Sequence, residues 1–95
     1  MIGDLYKLRI PCLGNPADTI GVVFHEYADF DIKGGVGIQV IFKNGEYDGF
    51  SVYEQENFLT FVGHSVKNEN YEFVNVLSVS KDYRKGRWDE DFKST

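Results

Sequence analysis

The sequence predicts an all-β domain with one short helix, folded as a small, partly open antiparallel barrel. Three observations lead there. Gly35 to Ser51, GVGIQVIFKNGEYDGFS, alternates apolar and other residues up to Asn44-Gly45 and then resumes with aromatics. An Asn-Gly pair between two such runs is a strong hairpin signal. The chain carries eight Phe, six Tyr and one Trp beside many Ile and Val, side chains that pack well on a pleated surface. Similar short runs recur along the 95 residues, a length that suits one domain burying above ~60% of its extended-chain surface. A hairpin is marginal by itself, so the added strands must share its core.

Taken in order, Leu5, Lys7 and Arg9 alternate with Tyr6, Leu8 and Ile10, as in a first, edge strand. Residues 12–19, CLGNPADT, hold Gly14, Pro16 and Asp18 and read as a loop. Ile20 to Tyr27 reads as a second strand, with Ile20, Val22 and Phe24 on one face and Val23 and His25 on the other. Residues 28–34 form a second loop. In the third strand Val36, Ile38, Val40 and Phe42 share a face. Asn44-Gly45 then suits a type I′ turn, because both residues tolerate positive φ. Gly49 breaks strict pairing of the returning strand and predicts a bulge near Asp48-Gly49.

Ser51 precedes Glu54 by three positions, the spacing of a capping box. Val52, Phe58, Leu59 and Val62 recur near helical spacing and predict one to two turns before Gly63; a short strand over Phe58 to Val62 is the competing reading. Residues 63–70 are polar and loop-like. Tyr71 to Ser80 reads as the last strand, with Tyr71, Phe73, Leu77 and Val79 on one parity and Val74 and Val76 on the other. The barrel is thus assigned to residues 1–80. Residues 81–95 form a mixed-charge C-terminal extension whose last part, 89–95, is expected to fray.

The formal charge is −5. Residues 1–80 carry eleven Asp or Glu against five Lys or Arg, whereas the last fifteen carry four acids against five cations. An acidic body repels a phosphate backbone, so bulk nucleic-acid binding is disfavoured. Cys12 is the one cysteine and is expected to be a small buried hydrophobe in a reducing compartment. Asp4 interrupts any N-terminal apolar core and no apolar run approaches ~18 residues. The expectation is a cytoplasmic protein without membrane contact.

From Gly21 to Val79 the order of elements resembles the SH3-like small barrels, including the KOW and Tudor-like groups. The resemblance is carried by Gly21-Val22-Val23-Phe24, an acidic-aromatic loop, Val36 to Phe42, Asn44-Gly45 and a helical turn before a final strand. Members of that superfamily are mostly binding modules for peptides, modified side chains, RNA or DNA, so the resemblance implies recognition rather than catalysis. Tyr27 and Phe30 imitate the aromatic pair of a proline-peptide site. No Trp-Trp or Trp-Lys motif adjoins the hairpin, however, and the basic surface of RNA-binding members is missing.

The residues themselves name no catalytic centre, metal or cofactor. His25 and His64 lie far apart without a ligand motif, and Glu26, Asp29 and Asp31 lack the calcium-loop pattern. Cys12, Ser51 and Ser65 stand outside nucleophile signatures. Gly34-Gly35-Val36-Gly37 has neither the Lys-Ser/Thr nor the helix of a phosphate loop. The strongest binding candidates are aromatic and acidic: Tyr27, Phe30, Tyr47 and Tyr53 among Glu26, Asp29, Asp31, Glu46 and Asp48. Tyr combines apolar area with a polar handle, and a surface of this kind suits a basic protein partner. The competing reading puts most of these rings in the core.

Tyr83, Arg84, Lys85, Arg87 and Trp88 form a second candidate, for nucleic acid, unless the segment folds back over the acidic barrel. The expected function is therefore a small acidic interaction module, such as an inhibitor, immunity or accessory protein. A nucleic-acid-binding accessory and a structural subunit are the alternatives. An unpaired barrel edge leaves homo-oligomerisation open.

Overall fold

A computed structural model describes residues 1–66, 76–88 and 90–95. Five antiparallel strands form one sheet: β1 (Asp4–Leu8), β2 (Ile20–Asp29), β3 (Gly35–Phe42), β4 (Tyr47–Phe50) and β5 (Leu59–His64). Their spatial order is β4-β3-β2-β1-β5. Among the described residues the sheet is joined by two helices, α1 (Val52–Phe58) between β4 and β5 and α2 (Val76–Arg84) after β5. Because β5 returns to pair with β1, the first strand is internal rather than an edge.

The sheet is open yet curled. Phe50 on one edge strand and Leu59 on the other meet in a single cluster with Leu8, Val23, Ile38, Val40 and Phe42. A flat sheet would hold these two residues apart on opposite edges. α1 spans the gap between β4 and β5 in place of direct strand pairing. A second cluster, Leu5, Val22, Phe24, Ile41, Tyr83 and Phe92, fills the other face. Apolar side chains on both parities of β2 and β3 thus serve two cores, as expected of strands covered on both faces.

Both strand expectations are met in outline: Val22 and Phe24 oppose Val23, and Ile38, Val40 and Phe42 share a cluster. The bulge lies elsewhere. Register shifts between Val23 and His25 where β2 pairs β3, and between Leu5 and Tyr6 where β1 pairs β5. Pairing of β4 with β3 is continuous through Asp48-Gly49.

The central turn is not type I′. Phe42 donates its N–H to the Glu46 carbonyl and Gly45 to the Phe42 carbonyl, so three residues make the loop. Gly45 alone within it has left-handed φ, +84°, the arrangement in which a glycine closes a longer hairpin. Asn44 acts through its side chain: Oδ1 accepts the Glu46 N–H and Nδ2 donates to the Leu13 carbonyl at 3.0 Å. The two-residue turn with positive φ at both centres occurs instead in the first connector. There Cys12 and Asn15 exchange both backbone bonds around Leu13 (φ +50°) and Gly14 (φ +80°).

The capping box forms as expected. Ser51 Oγ accepts the Glu54 N–H, and Glu54 Oε1 accepts the Ser51 N–H. Each competing reading of the next stretch holds for part of it: α1 stops at Phe58 and Leu59 enters β5 with extended dihedrals. Gly63 and His64 therefore belong to a strand rather than a loop.

The expected strand over Tyr71 to Ser80 is corrected. Its first half, and residues 67–70 of the expected loop, lie outside the described residues; Val76 to Ser80 is helix. Val76, Val79, Ser80 and Tyr83 follow i, i+3, i+4, i+7 spacing, and all are wholly or partly buried. Gly86 ends the helix with φ +77° while Gly86 and Arg87 donate to the carbonyls of Tyr83 and Asp82, a Schellman pattern.

Residues 90–95 are not frayed either: Phe92 packs against Tyr83, and Ser94 bridges Ser65. Asp89 lies outside the described residues.

Candidate functional site

The clearest constellation lies where the β2–β3 loop meets the start of α1. Asp29 is buried, and its Oδ2 accepts the Val52 N–H at 2.8 Å while Oδ1 accepts the Asp31 N–H at 3.2 Å. A carboxylate accepting an otherwise orphan donor at a helix start is favourable for both partners. The contact also pins two distant segments together, so that Phe30 and Tyr53 each follow directly on a residue of this bond. Phe30 is 96% exposed and Tyr53 66% exposed. Gln55 reinforces the junction by donating to the carbonyls of Val36 and Phe50.

The other aromatic candidates have structural engagements. Tyr27 lies across the bare backbone of β3 and β4. A Cβ added to Gly37 would stand only 2.2 Å from its ring, and one on Gly49 would stand 3.4 Å from its hydroxyl. The ring thus fills space that side chains at two glycines would otherwise occupy. Tyr47 meets Phe24 edge-on at 5.7 Å, on the face covered by α2. Its neighbour Glu46 pairs with Arg84 at 3.5 Å. Asp48 is exposed and accepts the N–H of Gly49. Glu26 and Asp31 are exposed. The nine acidic and aromatic candidates therefore divide, with Phe30, Asp31 and Tyr53 exposed within two positions of the residues that the Asp29–Val52 bond joins.

Cys12, Tyr27 and Tyr6 titrate above their ordinary range. Burial first, then the Asp48 and Glu54 carboxylates, push the Cys12 thiol up. Burial, with Glu54, Asp29 and Asp48, does the same for the Tyr27 phenol. Burial, with Asp4 and Glu26, raises Tyr6. For all three the folded state holds a proton that the unfolded chain releases earlier. Stability is complete below the ordinary values of 9.0 for the thiol and 10.0 for the phenols, and declines as pH rises beyond them. Urea denaturation between neutral and strongly alkaline pH should show that decline. Tyr6→Phe combined with Cys12→Ala should flatten it, and an unchanged slope would contradict the assignment.

The second candidate segment folds back. Tyr83 is 3% exposed and donates its hydroxyl to Asp91 Oδ2 at 2.7 Å, so it serves the core rather than a ligand. Lys43 Nζ stands 4.0 Å from the Trp88 ring centroid, and Trp88 in turn packs on Phe92. Arg84 is drawn to Glu46. Lys85 and Arg87 remain exposed.

Where β1 pairs β5, Asp4 is buried and receives the Met1 amine and His64 Nδ1, each at 2.6 Å. This Asp-His pair was not apparent in the sequence, because its members are 60 positions apart. Only the β1–β5 pairing, with Asp4 opposite His64, joins them.

Among the described residues, no group of three His, Cys, Asp or Glu is placed to hold a metal ion, and no helix is long and apolar enough to cross a membrane. Comparison of the chain with protein-family models, curated proteins and solved structures finds no match.

Proposed function

We propose that the chain is a small acidic interaction module that binds a basic protein partner through Phe30, Asp31 and Tyr53. The carrying observation is Phe30, a phenylalanine almost wholly exposed on a loop that Asp29 ties to α1. Burying such a ring on a partner gains hydrophobic free energy at little ordering cost, since the loop is already held. The acidic excess of residues 1–80 would attract a basic surface and exclude acidic ones.

The fold family we infer is the SH3-like barrel. Its helical turn before a final strand has a counterpart in α1 and β5, so the final strand is β5 and not the Tyr71 to Val79 stretch, whose described part is helix. Recognition without catalysis follows from that reading, and inhibition, immunity or an accessory role are its natural outlets; the single cysteine supports a reducing cytoplasm as its setting. A nucleic-acid role is less well supported, with Tyr83 in the core and Arg84 engaged by Glu46.

Selection of a phage-displayed random dodecapeptide library on the intact chain tests the proposal. Selected peptides should be rich in Lys and Arg and should bind saturably. Phe30→Ala and Asp31→Lys should each weaken binding about tenfold, corresponding to about 1.4 kcal/mol, while leaving the urea midpoint unchanged. Added salt should weaken binding too. Library selection without a basic preference, or indifference to both substitutions, defeats the reading. Asp29→Lys is unsuited to this test, because the buried carboxylate holds α1 in place.

A further inference from the structure

The loop between β2 and β3 is built from two successive turns. Ile32 donates its N–H to the Asp29 carbonyl at 3.2 Å, and Gly35 donates to the Ile32 carbonyl at 2.8 Å. Asp29 Oδ1 braces the first turn by accepting the Asp31 N–H, an Asx-turn bond. The first turn therefore presents Phe30 and Asp31, the second Lys33 and Gly34, with Ile32 between them. Ile32 and Val52 of α1 flank Gly35, whose added Cβ would lie 3.1 Å from Ile32 Cβ and from Val52 Cγ2. The loop is thus held at its base and open at its tip. Phe30 is 96% exposed and Ile32 43% exposed, and Asp31, Lys33 and Gly34 are exposed as well.

Counted outward from Ile32, residues 30–34 are complementary to themselves. Asp31 lies one position before Ile32 and Lys33 one position after. Phe30, two before, is matched two after by Gly34, where an added Cβ would meet nothing within 4 Å. A two-fold interface demands this property, because residue i must meet j while j meets i. With such an axis beside Ile32, each Asp31 faces the Lys33 of the other copy and the two Ile32 side chains meet. Each Phe30 ring then lies over the open backbone at Gly34.

We propose that this loop is the interface of a weak symmetric dimer of the chain, and that dimerisation masks Phe30 and Asp31 until a basic partner displaces the second copy. The masking rests on the reading of these residues as a site for a basic protein; the dimer does not. Burial of Phe30 supplies the attraction, and the Asp31–Lys33 pairs fix the orientation. The pairing is weak because one loop offers far fewer than the ~20 residues a side of a standard interface. The net charge of −5 on each copy also opposes approach.

Sedimentation velocity of the intact chain, from about 1 μM to about 1 mM, tests the dimer. Mass should rise from monomer to dimer over that range. Phe30→Ala, Asp31→Lys and Lys33→Asp should each weaken association about tenfold. An equimolar mixture of the Asp31→Lys and Lys33→Asp chains should restore it, since opposite charges then face each other again. A folding defect in either chain would not be repaired by the other. Monomer at every concentration, indifference to both charge substitutions, or no rescue on mixing overturns the interface and leaves the acidic module standing. The basic dodecapeptide selected on the chain should convert dimer to peptide-bound monomer. Peptide bound to an undiminished dimer overturns the masking alone, whereas selection without a basic preference removes the masking together with the reading it rests on.

Discussion

Gly45→Ala should lower the unfolding free energy by about 3 kcal/mol, although the position lies in a hairpin turn. About 1–2 kcal/mol comes from forcing an L-residue to the left-handed φ of +84°. The rest comes from α2. A Cβ at this site would stand 2.6 Å from the Ser80 carbonyl oxygen and 2.6 Å from Arg84 Cγ. The arginine can swing aside, but the carbonyl is helix backbone and can retreat only with α2. Any retreat also stretches the buried bond from Ser80 Oγ to the Gly45 carbonyl, 2.6 Å long and worth about 1 kcal/mol.

Gly34→Ala supplies the control. Gly34 has a comparable φ of +74°, with nothing within 4 Å of the added carbon, so only the conformational cost of about 1–2 kcal/mol applies. Paired urea denaturation of the two variants isolates the helix contribution. Equal losses would show that α2 does not press on the turn.

Gly21→Ala should cost a similar amount, about 3 kcal/mol, for a different reason. Its backbone φ is ordinary, so alanine alone would stabilise slightly by restricting the unfolded chain. The added carbon, however, would lie 2.4 Å from Val40 Cγ1 and 2.7 Å from Phe42 Cε1. Both side chains are fully buried in the cluster enclosed by the curled sheet. Neither can escape to solvent, and a close-packed interior has no spare volume to accept the methyl. The glycine is therefore the gap into which β3 packs its largest residue.

A double-mutant cycle with Phe42→Leu checks this account. Each single change should destabilise, and together they should cost less than their sum, because the smaller side chain vacates the space the methyl needs. Strict additivity by urea denaturation would show that Phe42 does not limit the site.

The elements legible in the sequence are those whose signals are local. Ser51 and Glu54 satisfy each other within one turn, so their three-residue spacing sufficed to locate the start of α1. Ile38, Val40 and Phe42 alternate over a run long enough to identify a buried strand face. Val76 to Tyr83 was ambiguous in kind: Leu77 and Val79 satisfy a strand parity while Val76, Val79, Ser80 and Tyr83 satisfy a helix stripe. The apolar surface of Val22, Phe24 and Ile41 selects the helix, since it offers a second core to cover rather than another edge to pair.

For the candidate site, residue types alone did not tell exposed side chains from buried ones. Phe30 and Tyr53 are both exposed. Asp29, taken from its sequence as one more surface carboxylate, is the buried tie between their two segments. Leu13 carried no signal, because its positive φ arises from a turn whose closing bonds a loop composition does not reveal.

The sequence by itself determined a β-rich domain, its central hairpin, the capped start of α1 and the acidic excess, since each depends on neighbouring residues or on composition. Tertiary structure alone decided that β5 returns to β1, that the sheet buries both faces, and that the C-terminal segment closes the second one. It also decided which carboxylates hold the fold and which face solvent. The physical reason is the same throughout: these outcomes depend on apolar area and unpaired donors supplied by residues tens of positions away, and only the folded chain brings them within reach.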